Sequence, residues 1–132
     1  MNIYFSWLFL LSDVQMKTKI EKIDYMQEYT PFLEHFVARL ETKFSPKIKQ
    51  VYLYGSLVSG GFSKESDIDI LIVVDKKTDE LNSEIHDLAF DMISWKIKRL
   101  ASVFVMGQKK FDSLVEAKYP FIMNVKKGVI LA

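Results

Sequence analysis

The stretch from Val51 to Asp75, VYLYGSLVSGGFSKESDIDILIVVD, constrains the fold more than any other part of the chain. Val51-Tyr52-Leu53-Tyr54 is β-branched and aromatic, the composition of a half-buried strand. Gly55-Ser56 ends it. Glycine admits a positive φ or a close backbone approach, and serine sets a hydroxyl beside free amides. That chemistry suits a triphosphate lying against the main chain. A polar connection leads to a second strand, Asp67-Ile68-Asp69-Ile70-Leu71-Ile72-Val73-Val74. Side chains alternate along a strand, so Asp67 and Asp69 share one face while Ile68 and Ile70 turn to the core. Two neighbouring carboxylates repel unless a cation lies between them. A hard divalent ion such as Mg²⁺, arriving with substrate phosphates, answers that need. A bare Asp-x-Asp is an ordinary solvated strand end. Gly-Ser, ten residues, then Asp-x-Asp, framed by apolar strands, is a compound pattern with few accidental matches.

On these residues the chain resembles the nucleotidyltransferase superfamily related to DNA polymerase β. More narrowly, it is similar to the minimal nucleotidyltransferases, small single domains often encoded beside a HEPN-domain protein. The order of elements extends the likeness over roughly residues 30 to 132. The resemblance implies an α/β fold, a small nucleotidyltransferase domain with a mixed β-sheet flanked by helices. It implies that Gly55 and Ser56 contact the nucleotide's phosphates, and that Asp67 and Asp69 are catalytic and hold Mg²⁺, with ATP or another NTP as substrate. Ser66, directly before the first aspartate, fits the family's Ser-Asp-x-Asp wording and joins the nucleotide-binding set. The implied reaction moves AMP, or another NMP, onto a hydroxyl acceptor. In the family that acceptor is a tyrosine on a HEPN toxin, which would make this protein an antitoxin associated with its partner.

Two positions depart from the family pattern. Many relatives carry Ala-Arg-Gly one residue after the Gly-Ser, where this chain has Val58-Ser59-Gly60 and no basic side chain. Lys64 is a candidate replacement, although a loop lysine is ordinarily just solvated. Superfamily enzymes also commonly place a third carboxylate on a later strand. The expected later strand, Leu100-Ala101-Ser102-Val103-Phe104-Val105, holds no acid, and Asp91, Asp112 and Glu116 fall in expected helices. Catalysis by two carboxylates, a residue supplied by a partner, and reduced activity therefore all stay open. So do two other functions: a non-catalytic module that masks its partner by contact, and an enzyme acting on a small hydroxylated molecule.

The 132 residues suffice for one core and leave no room for a second. A net charge of +1 gives no broad electrostatic footprint for nucleic acid. The chain has no cysteine, which excludes disulfides, thiolate metal sites and a cysteine nucleophile, and a cytoplasmic setting fits. Residues 1–15, MNIYFSWLFLLSDVQ, are apolar, but the run from Ile3 to Leu11 is too short to span a bilayer. It also lacks the basic start and cleavage site of a signal peptide, so no membrane partner is expected. These residues read as an added element, a partner contact, or an extension from a mis-assigned start upstream of Met16. Residues 1–29 are accordingly taken as an N-terminal extension and 30–132 as the domain.

Thr30-Pro31 carries a helix-start signal, with Phe32, Leu33, Phe36, Val37 and Leu40 inward at helical spacing and His35 a packing or surface residue. A second helix is expected over Asp79–Lys98, with Leu81, Ile85, Leu88, Ala89 and Met92 inward and His86 solvated. Trp95 is expected to cover a sheet face, an exposed tryptophan there pointing instead to a partner surface. Asp75 reads as a turn or capping residue. A short helix over Lys109–Lys118, a turn of helix after Tyr119-Pro120 and a last short strand near Gly128–Leu131 complete an α/β arrangement.

Overall fold

The computed structural model describes residues 13–63 and 65–132, with side chains for 25–63 and 65–132. The expectations for residues 1–12 and for Lys64 lie outside these. In chain order the elements are α1 (Asp13–Phe44), β1 (Ile48–Tyr54), α2 (Ser56–Ser59), β2 (Ile68–Val74) and α3 (Asp79–Ala89). A π-helical stretch (Phe90–Ser94), a short α4 (Trp95–Ile97), β3 (Ala101–Gly107), α5 (Gln108–Glu116), α6 (Pro120–Lys126) and β4 (Val129–Ile130) follow. No helix among the described residues is long and apolar enough to cross a membrane.

The four strands form one mixed sheet in the order β3-β2-β1-β4. β1 runs antiparallel to β2 and β4, while β2 and β3 are parallel. Parallel neighbours need a long crossover, and the helical run from α3 to α4 supplies it. This is the helix-flanked mixed sheet that the motif implied. β2 lies between two strands and is buried on both faces from Ile70 to Val74. One face, with Val51, Leu53, Ile68, Ile70 and Ile72, packs against Leu33, Phe36 and Leu40 of α1 and against Ile85 and Ile93. The other carries Tyr52, Tyr54, Leu71 and Val73 and is covered by Phe111, Ile122 and Val125 from α5 and α6. The aspartate face is thus not simply a solvent face. Its far end is a second core.

Thr30-Pro31 does not begin a helix. α1 runs unbroken for 32 residues with Pro31 inside it. An interior proline removes a backbone hydrogen bond and costs about 3 kcal/mol. The stripe continues through it, because Met26 and Tyr29 before the proline are buried in line with Leu33, Phe36 and Leu40 after it. Each such side chain contributes about 1.5–3 kcal/mol on burial, enough to outweigh the break. Thr30 Oγ1 bonds back to the Met26 carbonyl within the helix instead of capping it. Phe32 is only half-buried and His35 is exposed.

Thr78 caps α3, its hydroxyl accepting from Leu81 N at 3.1 Å. The expected inward stripe holds through Leu81, Ile85 and Ala89. The π-helical stretch then adds a residue to the turn and rotates Ile93, rather than Met92, into the core. Trp95 consequently covers no sheet face. It is 61% exposed, with Lys98 Nζ 4.1 Å above its ring centroid. At the chain's end, a Cβ on Gly128 would lie 2.1 Å from the Leu53 carbonyl oxygen, so only glycine lets β4 close onto β1.

Candidate active site

The register brings the C-terminal end of β1 to the N-terminal ends of β2 and β3. Tyr54 pairs with Asp69, and Asp69 with Ser102. Directly paired residues share a sheet face, so these three stand in a row. β1 leaves the sheet at Gly55, whose φ of +80° is the left-handed side of the map, and enters the four-residue α2. A Cβ at Gly55 would sit 2.1 Å from Asp69 Oδ2. The Gly-Ser turn and the second aspartate, with twelve residues between them in the sequence, are therefore in contact. The Gly55 carbonyl is engaged by Val58 N at 3.1 Å, Ser59 N at 2.9 Å and Ser59 Oγ at 3.0 Å. Ser59, where relatives carry a basic residue, braces the turn. The first amides of α2 have no acceptor within the helix, as at any helix start.

The electrostatics carry the mark of an uncompensated negative charge. The Asp69 carboxyl is raised above its ordinary value, first by burial and then by the charge of Asp67. Tyr54 is pushed up to about 12, first by burial and then by the charge of Asp69. A cation between the two carboxylates would relieve both effects. Among the described residues no group of three or more His, Cys, Asp or Glu side chains converges to hold a metal. Among the described residues the candidate donors are Asp67 and Asp69, a set that would suit Mg²⁺, an ion that keeps waters and takes phosphate oxygens as its remaining ligands.

Asp91, Asp112 and Glu116 are exposed and none joins the pair. Asp112 instead accepts from Gln108 Nε2 at 2.8 Å. The resemblance calls for an acid somewhere on a later strand, and the place beside Asp69 on β3 is held by Ser102. The sequence showed that β3 is acid-free but could not say which residue faces the pair, because that depends on the parallel register. Replacing it tests the geometry. Ser102→Glu is expected to tighten Mg²⁺ binding and to raise transfer by about a hundredfold, the lower end for a positioned acid or base. An unchanged rate and metal affinity would mean that position 102 does not face the site.

Arg99 was not singled out by sequence pattern, yet it anchors the loop before Asp67. Its Nε donates to Tyr29 Oη at 2.5 Å, and one terminal nitrogen donates to the carbonyls of Ser63 at 2.6 Å and Ser66 at 3.2 Å. Its guanidinium lies 4.5 Å from the Phe62 ring centroid, with Tyr25 and Tyr29 alongside. A single arginine between a helix and a strand leaves no periodic signal, and its partners lie 33 to 70 residues away. Ser66 Oγ accepts from Ser63 N at 3.0 Å, which makes it a fastener of the same loop.

With this geometry in place, the comparisons with known proteins agree on one class. A family model described as a nucleotidyltransferase domain matches residues 33–119. A Methanocaldococcus jannaschii protein named "Putative protein adenylyltransferase" is 46% identical over 43 residues, 33% of this chain and 43% of that protein. An "Aminoglycoside (3'') (9) adenylyltransferase" of Shigella flexneri is 40% identical over 106 residues, 76% of this chain and 39% of that protein. The chain thus spans about two fifths of the length of these curated relatives. A crystal structure of a "putative nucleotidyltransferase" from Sulfolobus solfataricus superposes with a TM-score of 0.50 at 25% identity, over 83% of this chain and 84% of that one.

Proposed function

Because the chain belongs to the nucleotidyltransferase domain family, we propose that it transfers a nucleoside monophosphate, AMP from ATP, to a hydroxyl on a protein acceptor. The observation that supports this reading is the contact between Gly55 and Asp69, which sets the Gly-Ser turn against the second aspartate. In this mechanism Gly55 keeps the space beside Asp69 open, and the turn at Ser56 receives the triphosphate on its hydroxyl and backbone amides. Asp67 and Asp69 would hold Mg²⁺, which would neutralise triphosphate charge. The acceptor oxygen forms its bond to the α-phosphorus, the bond from that phosphorus to the bridging oxygen breaks, and pyrophosphate leaves with the electron pair. With Ser102 beside Asp69 rather than an acid, the acceptor's proton passes to water. Positioning and charge stabilisation then account for most of the rate.

The name of the Methanocaldococcus relative supports a protein acceptor. The finer assignment, a tyrosine on a HEPN toxin with this protein as antitoxin, rests on the motif's resemblance to minimal nucleotidyltransferases, as does a cytoplasmic setting. A second reading has its own support. The Shigella relative covers 76% of this chain at 40% identity, and its name gives an aminoglycoside as acceptor. The test is transfer of label from α-labelled ATP with Mg²⁺ to a co-purified HEPN partner or to an aminoglycoside, beside an Asp67→Asn/Asp69→Asn double variant. Label on the partner that vanishes in the variant is the expected result. Label on the antibiotic alone selects the second reading. Silencing of the partner without any label leaves contact as the mechanism and ends the enzymatic one.

A further inference from the structure

The sheet face that carries Asp69 and Ser102 continues along β3 to Phe104 and Met106, in two-residue steps of about 7 Å. Past Phe104 it opens into a groove of about 970 Å³, walled by the end of β3, the start of α5, the start of α6 and the turn after β2. Neither Asp67 nor Asp69 lines it. Four exposed lysines do: Lys76, Lys77, Lys109 and Lys110, against a single carboxylate, Asp75. In a chain whose net charge is +1, this is a local concentration of positive charge. Two of these lysines stand in the first turn of α5, which holds no acidic residue and has no side-chain cap. The helix dipole is already positive there, so lysines weaken the helix slightly and a bound anion would strengthen it.

The rest of the lining is apolar and open. Phe104 and Tyr119 are each 51% exposed. Phe121 bridges the groove to the candidate site, with its ring 5.4 Å from that of Phe104 and 5.7 Å from that of Tyr54, the neighbour of Asp69. Among the described residues β3 is also the end strand of the sheet. An end strand offers backbone donors and acceptors to an added extended chain, whose alternate side chains then fall on the adjoining face.

We propose that this groove docks an acidic, extended segment of a partner protein and so delivers that partner's hydroxyl toward Asp69. Delivery of a hydroxyl rests on the transfer reading above, whereas the docking itself does not. Four lysines against one aspartate draw a polyanionic segment and repel a polycation, the kind of complementarity that sets encounter rate and partner choice. The strand edge favours a polypeptide over a nucleic-acid strand, because only another peptide backbone matches its donors and acceptors in register.

The test is fluorescence anisotropy with a short fluorescein-labelled peptide alternating glutamate and tyrosine. A lysine–tyrosine peptide and a single-stranded oligo-dT serve as rival probes. The protein is expected to bind the acidic peptide, and at least about tenfold more weakly in ~1 M salt, where the Debye length is about 3 Å. Lys76→Glu/Lys77→Glu/Lys109→Glu/Lys110→Glu is expected to lose at least about tenfold in affinity, while Asp67→Asn/Asp69→Asn binds within about twofold of the unaltered protein. Circular dichroism checks that the quadruple variant folds. If it does not, Lys109→Glu/Lys110→Glu decides, since acids are favoured in a first helical turn. Tighter binding of oligo-dT, equal binding of the lysine peptide, or an unaffected quadruple variant would overturn the proposal. A partner protein that docks in the groove but is never labelled from α-labelled ATP overturns transfer to protein and leaves the groove standing. A partner labelled equally well by the quadruple variant overturns the groove and leaves transfer standing.

Discussion

Asp69→Asn is expected to lower nucleotide transfer by at least about a hundredfold and, at neutral pH, to raise the melting temperature of the metal-free protein. The two effects come from one cause. Burial and the charge of Asp67 raise the Asp69 carboxyl above its ordinary value, so the folded protein holds this proton more tightly than the unfolded chain does. Stability linked to that proton is fully present below the ordinary aspartate range and is lost as pH rises through the raised folded value. At pH 7 the ionised carboxylate therefore works against folding, and the asparagine of the same shape relieves it. The advantage of the variant should shrink to nothing in acid, where Asp69 is protonated in both states.

Mg²⁺ should reverse the order. A ligand at one hundred times its dissociation constant stabilises by about 2.7 kcal/mol, so near-saturating Mg²⁺ raises the melting temperature of the unaltered protein and leaves the variant where it was. Transfer is expected to fall in the variant because the cation that would stabilise charge on the reacting phosphate loses a ligand, and such stabilisation is worth about 10²–10³ in rate. Thermal melts across pH, with and without Mg²⁺, read both effects on the same samples. A variant that melts well below the unaltered protein at pH 7 would make Asp69 a structural residue and would sink the metal-site reading.

Gly55→Ala is expected to produce the other large loss, in activity more than in stability. At φ +80° any L-residue is strained, at a cost of about 1–3 kcal/mol. The new methyl would lie 2.1 Å from Asp69 Oδ2 and 3.0 Å from its Cγ, so the carboxylate must turn away from its place. A displacement of about 1 Å in a positioned group costs roughly a hundredfold in rate. Gly61 provides the control. Its φ is +78°, but a Cβ there meets nothing within 4 Å. Gly61→Ala should carry the same backbone strain and keep its transfer rate. Equal losses in the two variants would mean that the Asp69 contact has no catalytic weight.

The strand–turn–strand frame was legible because its signals are local. A period of two sorts Asp67 and Asp69 onto one face of the expected strand, although β2 itself begins at Ile68, and a glycine-serine pair closing an apolar strand marks a turn. The short α5 and α6 and the last small strand were legible for the same reason, whereas the mixed sheet came from the motif's resemblance to a known family and from no local signal. What failed in the sequence reading failed where long-range burial outweighs a local rule. Pro31 looked like a helix start, but Met26 and Tyr29 extend the buried stripe through it. The stripe of α3 was expected to run on to Met92 until the π-helical stretch turned Ile93 inward and left Trp95 outside. Arg99 had no sequence signal at all, since its partners come from α1 and a loop that meet only in the fold.

The candidate site divides along the same line. The sequence by itself determined its chemistry: two carboxylates with a period of two, a glycine-serine turn, and no third acid on the later strand. Only the tertiary structure decided that Gly55 touches Asp69, that Ser102 fills the place beside it, and that the lysine-lined groove lies on the same face. Those are matters of register between strands and of packing between helices. Each is set by burial summed over the whole core, and no window of neighbouring residues contains that sum.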